Sequence, residues 1–101
     1  MKLQITAVGS HTLRLAGNLD LYTVESAREA LLQQFADKPR LEIDLDGVES
    51  CDVSGVQLLL AARRTAAVSG KSLSVHPVSQ AVANCGALLG IAPGVLFSND
   101  R

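Results

Sequence analysis

Apolar and polar residues alternate at the start of the chain, with Leu3, Ile5 and Ala7 set against Lys2, Gln4 and Thr6. After Gly9, Ser10 and His11 the alternation resumes, Leu13 and Leu15 opposing Thr12 and Arg14. A period of two marks strands with one buried face, and the glycine-containing break between them marks a tight turn, so this region predicts a hairpin. Gly17, Asn18, Leu19 and Asp20 break the pattern. From about Thr23, Val24, Ala27, Leu31 and Phe35 recur at helical spacing with Glu25, Arg28, Glu29 and Gln33 between them. This predicts an amphipathic helix that ends near Asp37, Lys38 and Pro39.

Leu41, Ile43 and Leu45 then alternate with Glu42, Asp44 and Asp46, the signature of a strand with one wet face. A central strand covered on both sides would not carry three carboxylates, so the helices are expected on a single face of the sheet. Beyond the loop Gly47 to Asp52, the positions Val56, Leu59, Leu60 and more loosely Ala67 predict a second helix that runs to Ser69, with Gly70 as its C-terminal stop. Ser54 reads as its N-cap, Gln57 completes a capping box and Val53 with Leu58 forms a hydrophobic staple. A short strand at Leu73 to Val75 is expected to end at Pro77. Ser79 caps a third helix through Val82 and Leu88 to Gly90, and Val95 to Phe97 reads as a last short strand before a polar tail. The fold class is α/β: a mixed β-sheet with helices packed mainly on one face, in the order ββαβαβα(β).

Composition narrows the function. The 101 residues are 48% hydrophobic and 19% charged, enough apolar material for one self-sufficient domain over 1–101, with no repeat or linker. The net charge of -1 and an aromatic content of 3% provide neither a positive field nor stacking platforms, which argues against nucleic acid as a partner. No run approaches the roughly 18 apolar residues of a membrane span, and the alternating N-terminus lacks the apolar stretch of a secretion signal. The expectation is a soluble cytoplasmic protein that does not insert into a membrane. Cys51 and Cys85 are too far apart for a metal knuckle or a Cys-x-x-Cys redox pair and read as buried thiols in a reducing compartment.

Catalysis finds no footing in the sequence. His11 falls in the hairpin turn and His76 beside Pro77, neither placed as a general base. The carboxylates Glu42, Asp44 and Asp46 lie along one strand and do not enclose a metal ion. No glycine-rich phosphate loop is present, so no cofactor is called for.

One segment carries a family resemblance. Leu41 to Leu60, LEIDLDGVESCDVSGVQLLL, resembles the signature of the STAS family of sulfate transporters and anti-sigma-factor antagonists, in which a strand leads to Asp, Ser or Thr, a small residue and Gly before a Leu-rich helix. Asp52, Ser54, Gly55 and the run Val56 to Leu60 match. Gly17-Asn18-Leu19-Asp20 looks like the family's Gly-x-Leu-Asp turn, and Val78 to Val82 with Leu88 to Ile91 looks like its third helix. The resemblance implies a non-catalytic bacterial signalling module that switches partners. Its docking surface would comprise Asp20, Asp52, Val53, Ser54, Gly55 and Gln57. The implied partners are an anti-sigma-factor or serine-kinase-like protein or a chemosensory protein; the alternative is the ATPase of a phospholipid-transport ABC complex that a STAS subunit supports. The family's phosphorylated Ser or Thr directly follows the Asp. Here that slot holds Val53, which has no hydroxyl, leaving Ser54 as the candidate acceptor.

Overall fold

In the computed structural model, residues 2–92 together with Gly94 and Val95 are described. Strands β1 (Leu3–Val8) and β2 (Thr12–Leu19) form the expected antiparallel hairpin, which positions Leu13 and Leu15 inward. Helix α1 (Val24–Ala36) crosses over to β3 (Arg40–Cys51), and α2 (Val53–Ser69) crosses to β4 (Ser72–Val78), so β2, β3 and β4 are mutually parallel. Helix α3 (Gln80–Leu88) follows, and the four strands lie in the order β1-β2-β3-β4.

The one-sided burial follows the sequence pattern. Leu41, Ile43 and Leu45 are buried beneath the helices, while Glu42, Asp44 and Asp46 lie on the opposite face. There Arg14 on β2 meets Asp44 across the sheet at 3.3 Å. Ala27, Leu31 and Phe35 of α1, Val56, Leu58, Leu59, Ala62 and Ala66 of α2 and Val82 of α3 complete one core. Each large side chain so buried contributes roughly 1.5–3 kcal/mol against the unfolded chain.

Three local features depart from the expected pattern. β3 does not stop after Leu45 but continues to Cys51. It gains one residue over β2 between the pairs Arg14–Asp44 and Ala16–Gly47, and another between Gly17–Val48 and Asn18–Ser50. These bulges disrupt strict alternation yet return Val48 to the core, which is why a period of two loses the strand at Asp46. Pro77 likewise does not end β4 but lies within it. β4 is an edge strand, and its own extra residue falls between the pairs Ile43–Val75 and Leu45–Val78, so the missing N–H of Pro77 interrupts no interior ladder. Of the last strand expected at Val95 to Phe97, Leu96 and Phe97 lie outside the described residues, and Val95 is helical.

α3 begins where the Ser79 N–H donates to the Leu45 carbonyl and the Ser79 hydroxyl accepts from the Val82 N–H, as the capping pattern predicts. It then runs along β3 so that Cys85 meets Cys51. Its C-terminal end therefore lies at the same end of the molecule as the start of α2.

Candidate functional site

The end of β3 and the end of β2 are bound together before either chain segment turns away. Leu19 pairs with Cys51 in the parallel ladder, the Asp52 N–H donates to the Leu19 carbonyl at 3.2 Å, and the Ser50 hydroxyl meets Asn18 Oδ1 at 2.7 Å. From this shared platform β2 leads into the turn Asp20 to Thr23, and β3 leads into α2.

Asp52 organises both exits. It is extended (φ -117°, ψ -172°) and acts as the N-cap of α2: one carboxylate oxygen accepts from the N–H groups of Ser54 at 2.9 Å and Gly55 at 3.3 Å. The other oxygen accepts from the Leu21 N–H at 3.1 Å, across from the β2 turn. The carboxylate thus satisfies two orphan donors of the helix and one of the neighbouring loop, and its charge sits where the helix dipole favours an anion.

This corrects the capping assignment drawn from sequence. Ser54 is the second residue of α2, not its cap, so the capping box with Gln57 and the staple of Val53 with Leu58 do not form. Among the described residues the Ser54 hydroxyl takes no hydrogen-bond partner; its backbone N–H is what Asp52 holds. Replacing Asp52 by alanine should therefore destabilise the fold by about 1–2 kcal/mol, whereas Ser54→Ala should change stability by less than about 0.5 kcal/mol. Urea denaturation of the two variants checks the assignment, and the reverse order would restore Ser54 as the cap.

Asp20 closes the adjoining turn. Its carboxylate accepts from the Tyr22 N–H at 2.9 Å, its own N–H donates to the Thr23 hydroxyl oxygen at 3.1 Å, and its carbonyl accepts from Val24 at 2.9 Å as α1 begins. The Thr23 hydroxyl in turn donates to the Asn18 carbonyl at 2.7 Å. Asp20 and Asp52 are brought to one corner, joined through Leu21, and each is occupied with backbone donors.

The other sequence-derived candidates separate into surface and interior. Val53 and Gln57 are exposed and Ser54 is half-buried, so these three remain available to a partner. Gly55 is buried, which corrects its placement on the docking surface. A Cβ there would stand 2.8 Å from Cys51 Sγ, 2.9 Å from Leu19 Cγ and 3.0 Å from the Leu19 carbonyl oxygen. Glycine at 55 is a packing requirement that lets the first turn of α2 lie against the ends of β2 and β3.

The sequence reading named Val53 but missed Leu21 and Tyr22, the apolar residues that stand beside it at this corner. Leu21 is 65% exposed, Tyr22 88% and Val53 48%, and they surround the two aspartates. Leu88 and Leu89, also exposed, terminate α3 at the same end of the fold. Two consecutive large apolar residues inside a turn, outside any helical or strand period, were the available signal.

Beneath this surface, Cys51 is half-buried, and its thiol is pushed up to about 12, chiefly by burial and further by the neighbouring Cys85 thiol and the Asp52 carboxylate. Among the described residues no cluster of three or more His, Cys, Asp or Glu side chains could hold a metal ion, and no helix is long and apolar enough to cross a membrane.

The bulged strand, the Asp cap, the buried Gly and the Leu-rich helix all lie within residues 3–96, which match a family model described as Mlab, STAS domain. The chain belongs to the STAS domain family. Solved structures share the fold of this STAS domain. An anti-sigma factor antagonist from Mycobacterium paratuberculosis superposes with a TM-score of 0.71 at 22% identity, over 88% of this chain and 77% of that one. The anti-sigma factor antagonist SpoIIAA in its unphosphorylated form gives 0.61 at 21% identity, over 82% and 79%. A chain described as Mglu gives 0.63 at 19% identity, over 76% of the STAS domain but 20% of its own length. No curated protein matches the sequence.

Proposed function

We propose that this STAS domain is a non-catalytic bacterial regulatory module that docks a protein partner in the cytoplasm through the corner built by the Asp20–Tyr22 turn and the first turn of α2. The observation that carries the reading is the exposure of Leu21, Tyr22 and Val53 around two aspartates whose carboxylates are already engaged by backbone amides. Apolar side chains on a rigid loop platform lose little freedom on binding and gain from desolvation, which is how anchor residues of interfaces work. The anti-sigma factor antagonists that share the fold support a protein, and not a small molecule, as the ligand.

Ser54 is the switch element of this reading. Its hydroxyl is free of capping duty, and a phosphate there would add about -1.5 to -2 charges beside the Asp52 carboxylate, which turns an apolar docking corner into a strongly anionic one. The partner favoured is a kinase-like anti-sigma factor or a chemosensory protein. Val53 supports a second reading: an apolar residue in the family's acceptor slot suits a subunit that stays bound, such as a STAS subunit holding the ATPase of a phospholipid-transport ABC complex.

A photo-crosslinking residue placed at position 22 and, separately, at the equally exposed Val68 near the far end of α2 tests the proposal in native cells. Position 22 should capture one protein and position 68 none, and Tyr22→Ala in the purified pair should weaken binding about tenfold or more. A kinase-like or chemosensory protein in the adduct supports the first reading and a transport ATPase the second; equal capture at both positions would overturn the docking corner.

A further inference from the structure

Helices α1 and α2 run side by side in the same direction, because each carries the chain back between parallel strands of one sheet. Between them lies a trough of about 250 Å³, bordered by Arg28, Leu31, Leu32 and Phe35 of α1 and by Leu58, Ala61, Ala62 and Thr65 of α2. Both sets follow the i, i+3, i+4, i+7 spacing of one helix face, so the trough is about 10 Å long. The short side chains of Ala61 and Ala62 leave the space open. Its floor is buried and apolar, formed by Leu31, Phe35, Leu58 and Ala62. Leu32, Ala61 and Thr65 are exposed on its rim. Among the described residues that line it, Arg28 alone is charged, and it stands at the end nearer the start of α1.

We propose that this trough binds a small straight-chain carboxylate, its apolar tail laid along the floor and its carboxylate held by Arg28. Arg28 gives one N–H to Glu25 at 3.3 Å, and both side chains are exposed. Such a pair is worth little in water, and the rest of the guanidinium fork is left to meet two oxygens of a ligand. Glu25 also limits the charge that can be accepted: a monoanion fits beside it, whereas a doubly charged phosphate is repelled more strongly. At the opposite end the Lys71 ammonium is committed to Phe35, donating to its carbonyl and lying 5.9 Å from its ring centroid. The trough therefore has one charged end and one apolar end, which matches a rod with a single anionic head. An extended chain advances about 1.2 Å per bond, judged from about 3.5 Å per three-bond residue of polypeptide, so about eight carbons fill the trough. The volume agrees, lying just below the roughly 300–1,000 Å³ of pockets for drug-sized ligands.

The test titrates the full chain with hexanoate, octanoate and decanoate, and with octanol and octylamine as controls, following backbone amide resonances. Octanoate should shift the amides of Leu32, Ala61, Ala62 and Thr65 and saturate. Octanol and octylamine should bind about tenfold more weakly or worse, since neither offers Arg28 a charge-assisted acceptor. Affinity should rise roughly threefold per methylene from hexanoate to octanoate and level off by decanoate, where the trough is full. Arg28→Gln should reduce octanoate to the affinity of octanol and leave octanol unchanged. Ala61→Leu, an exposed position where leucine suits a helix, should weaken both by about tenfold while the unfolding curve stays that of the wild type. Equal binding of octanoate and octylamine, undiminished octanoate binding by Arg28→Gln, or shifts confined to residues outside the trough would overturn the proposal. So would the absence of saturable binding at millimolar octanoate, which would leave this face to a partner protein's helix. None of these readouts depends on whether the Asp52 corner docks a partner.

Discussion

Gly17→Ala should lower the stability of the protein by about 2–5 kcal/mol, which for a domain of this size is a large part of the total. Gly17 lies in β2 with φ +111°, a backbone conformation that L side chains rarely adopt, and forcing one there costs about 1–3 kcal/mol. The added Cβ would also stand 2.3 Å from the Lys2 carbonyl oxygen, a backbone atom that cannot rotate away, and such overpacking costs about 1–3 kcal/mol more. The same carbonyl accepts from the Asn18 N–H at 3.1 Å, so the edge strand and the approach to the Asp20 turn shift together. Urea denaturation of the variant measures the loss. A change below about 1 kcal/mol would mean that the start of β1 peels off the sheet without consequence for the core.

Gly55→Val should cost roughly 3 kcal/mol and should in addition weaken partner docking. The glycine is wedged where α2 leaves the sheet, and a side chain there meets Cys51 Sγ, Leu19 Cγ and the Leu19 carbonyl at or under 3.0 Å. Relief requires the first turn of α2 to lift away from the strand ends, which lengthens the hydrogen bonds from Ser54, Gly55 and Leu21 to Asp52. Thermal unfolding gives the stability change, and crosslinking from position 22 gives the docking change. Gly55→Val with wild-type stability would show that the helix start can yield sideways, and the packing argument for this glycine would fall.

Much of the architecture was legible because it rests on periodicity. The alternation of Leu41, Ile43 and Leu45 with three acids set both the strand and the single covered face, and the hairpin and the first helix followed from equally regular runs. What failed was local and has local reasons. The bulges of β3 place Leu45 and Val48 three positions apart on one face, and no period-two reading survives that. Pro77 signals an end in a central strand but not in an edge strand, and the edge position of β4 is a property of the assembled sheet.

The corner was legible in some of its residues and not in their roles. Asp52 and Ser54 are both good N-caps, and Gln57 lies at the spacing that completes a capping box for Ser54. The choice between them is made by the extended backbone of Asp52 as β3 turns into α2, which depends on where β3 ends. Gly55 was singled out by family resemblance as part of the docking surface, and its burial required knowing that Leu19 and Cys51 flank it. The approach of Cys85 to Cys51 depends on the path of α3 along β3 and has no trace in sequence spacing.

The doubly used carboxylate of Asp52 has a mechanical consequence. Because Leu21 hangs from the same group that anchors the opening of α2, a tug on the neighbouring tyrosine ring is transmitted through one amide and one carboxylate into the helix axis instead of being absorbed by a slack loop. The two exits from the sheet therefore share a single anchor, and displacing either one loads the hydrogen bonds that hold the other.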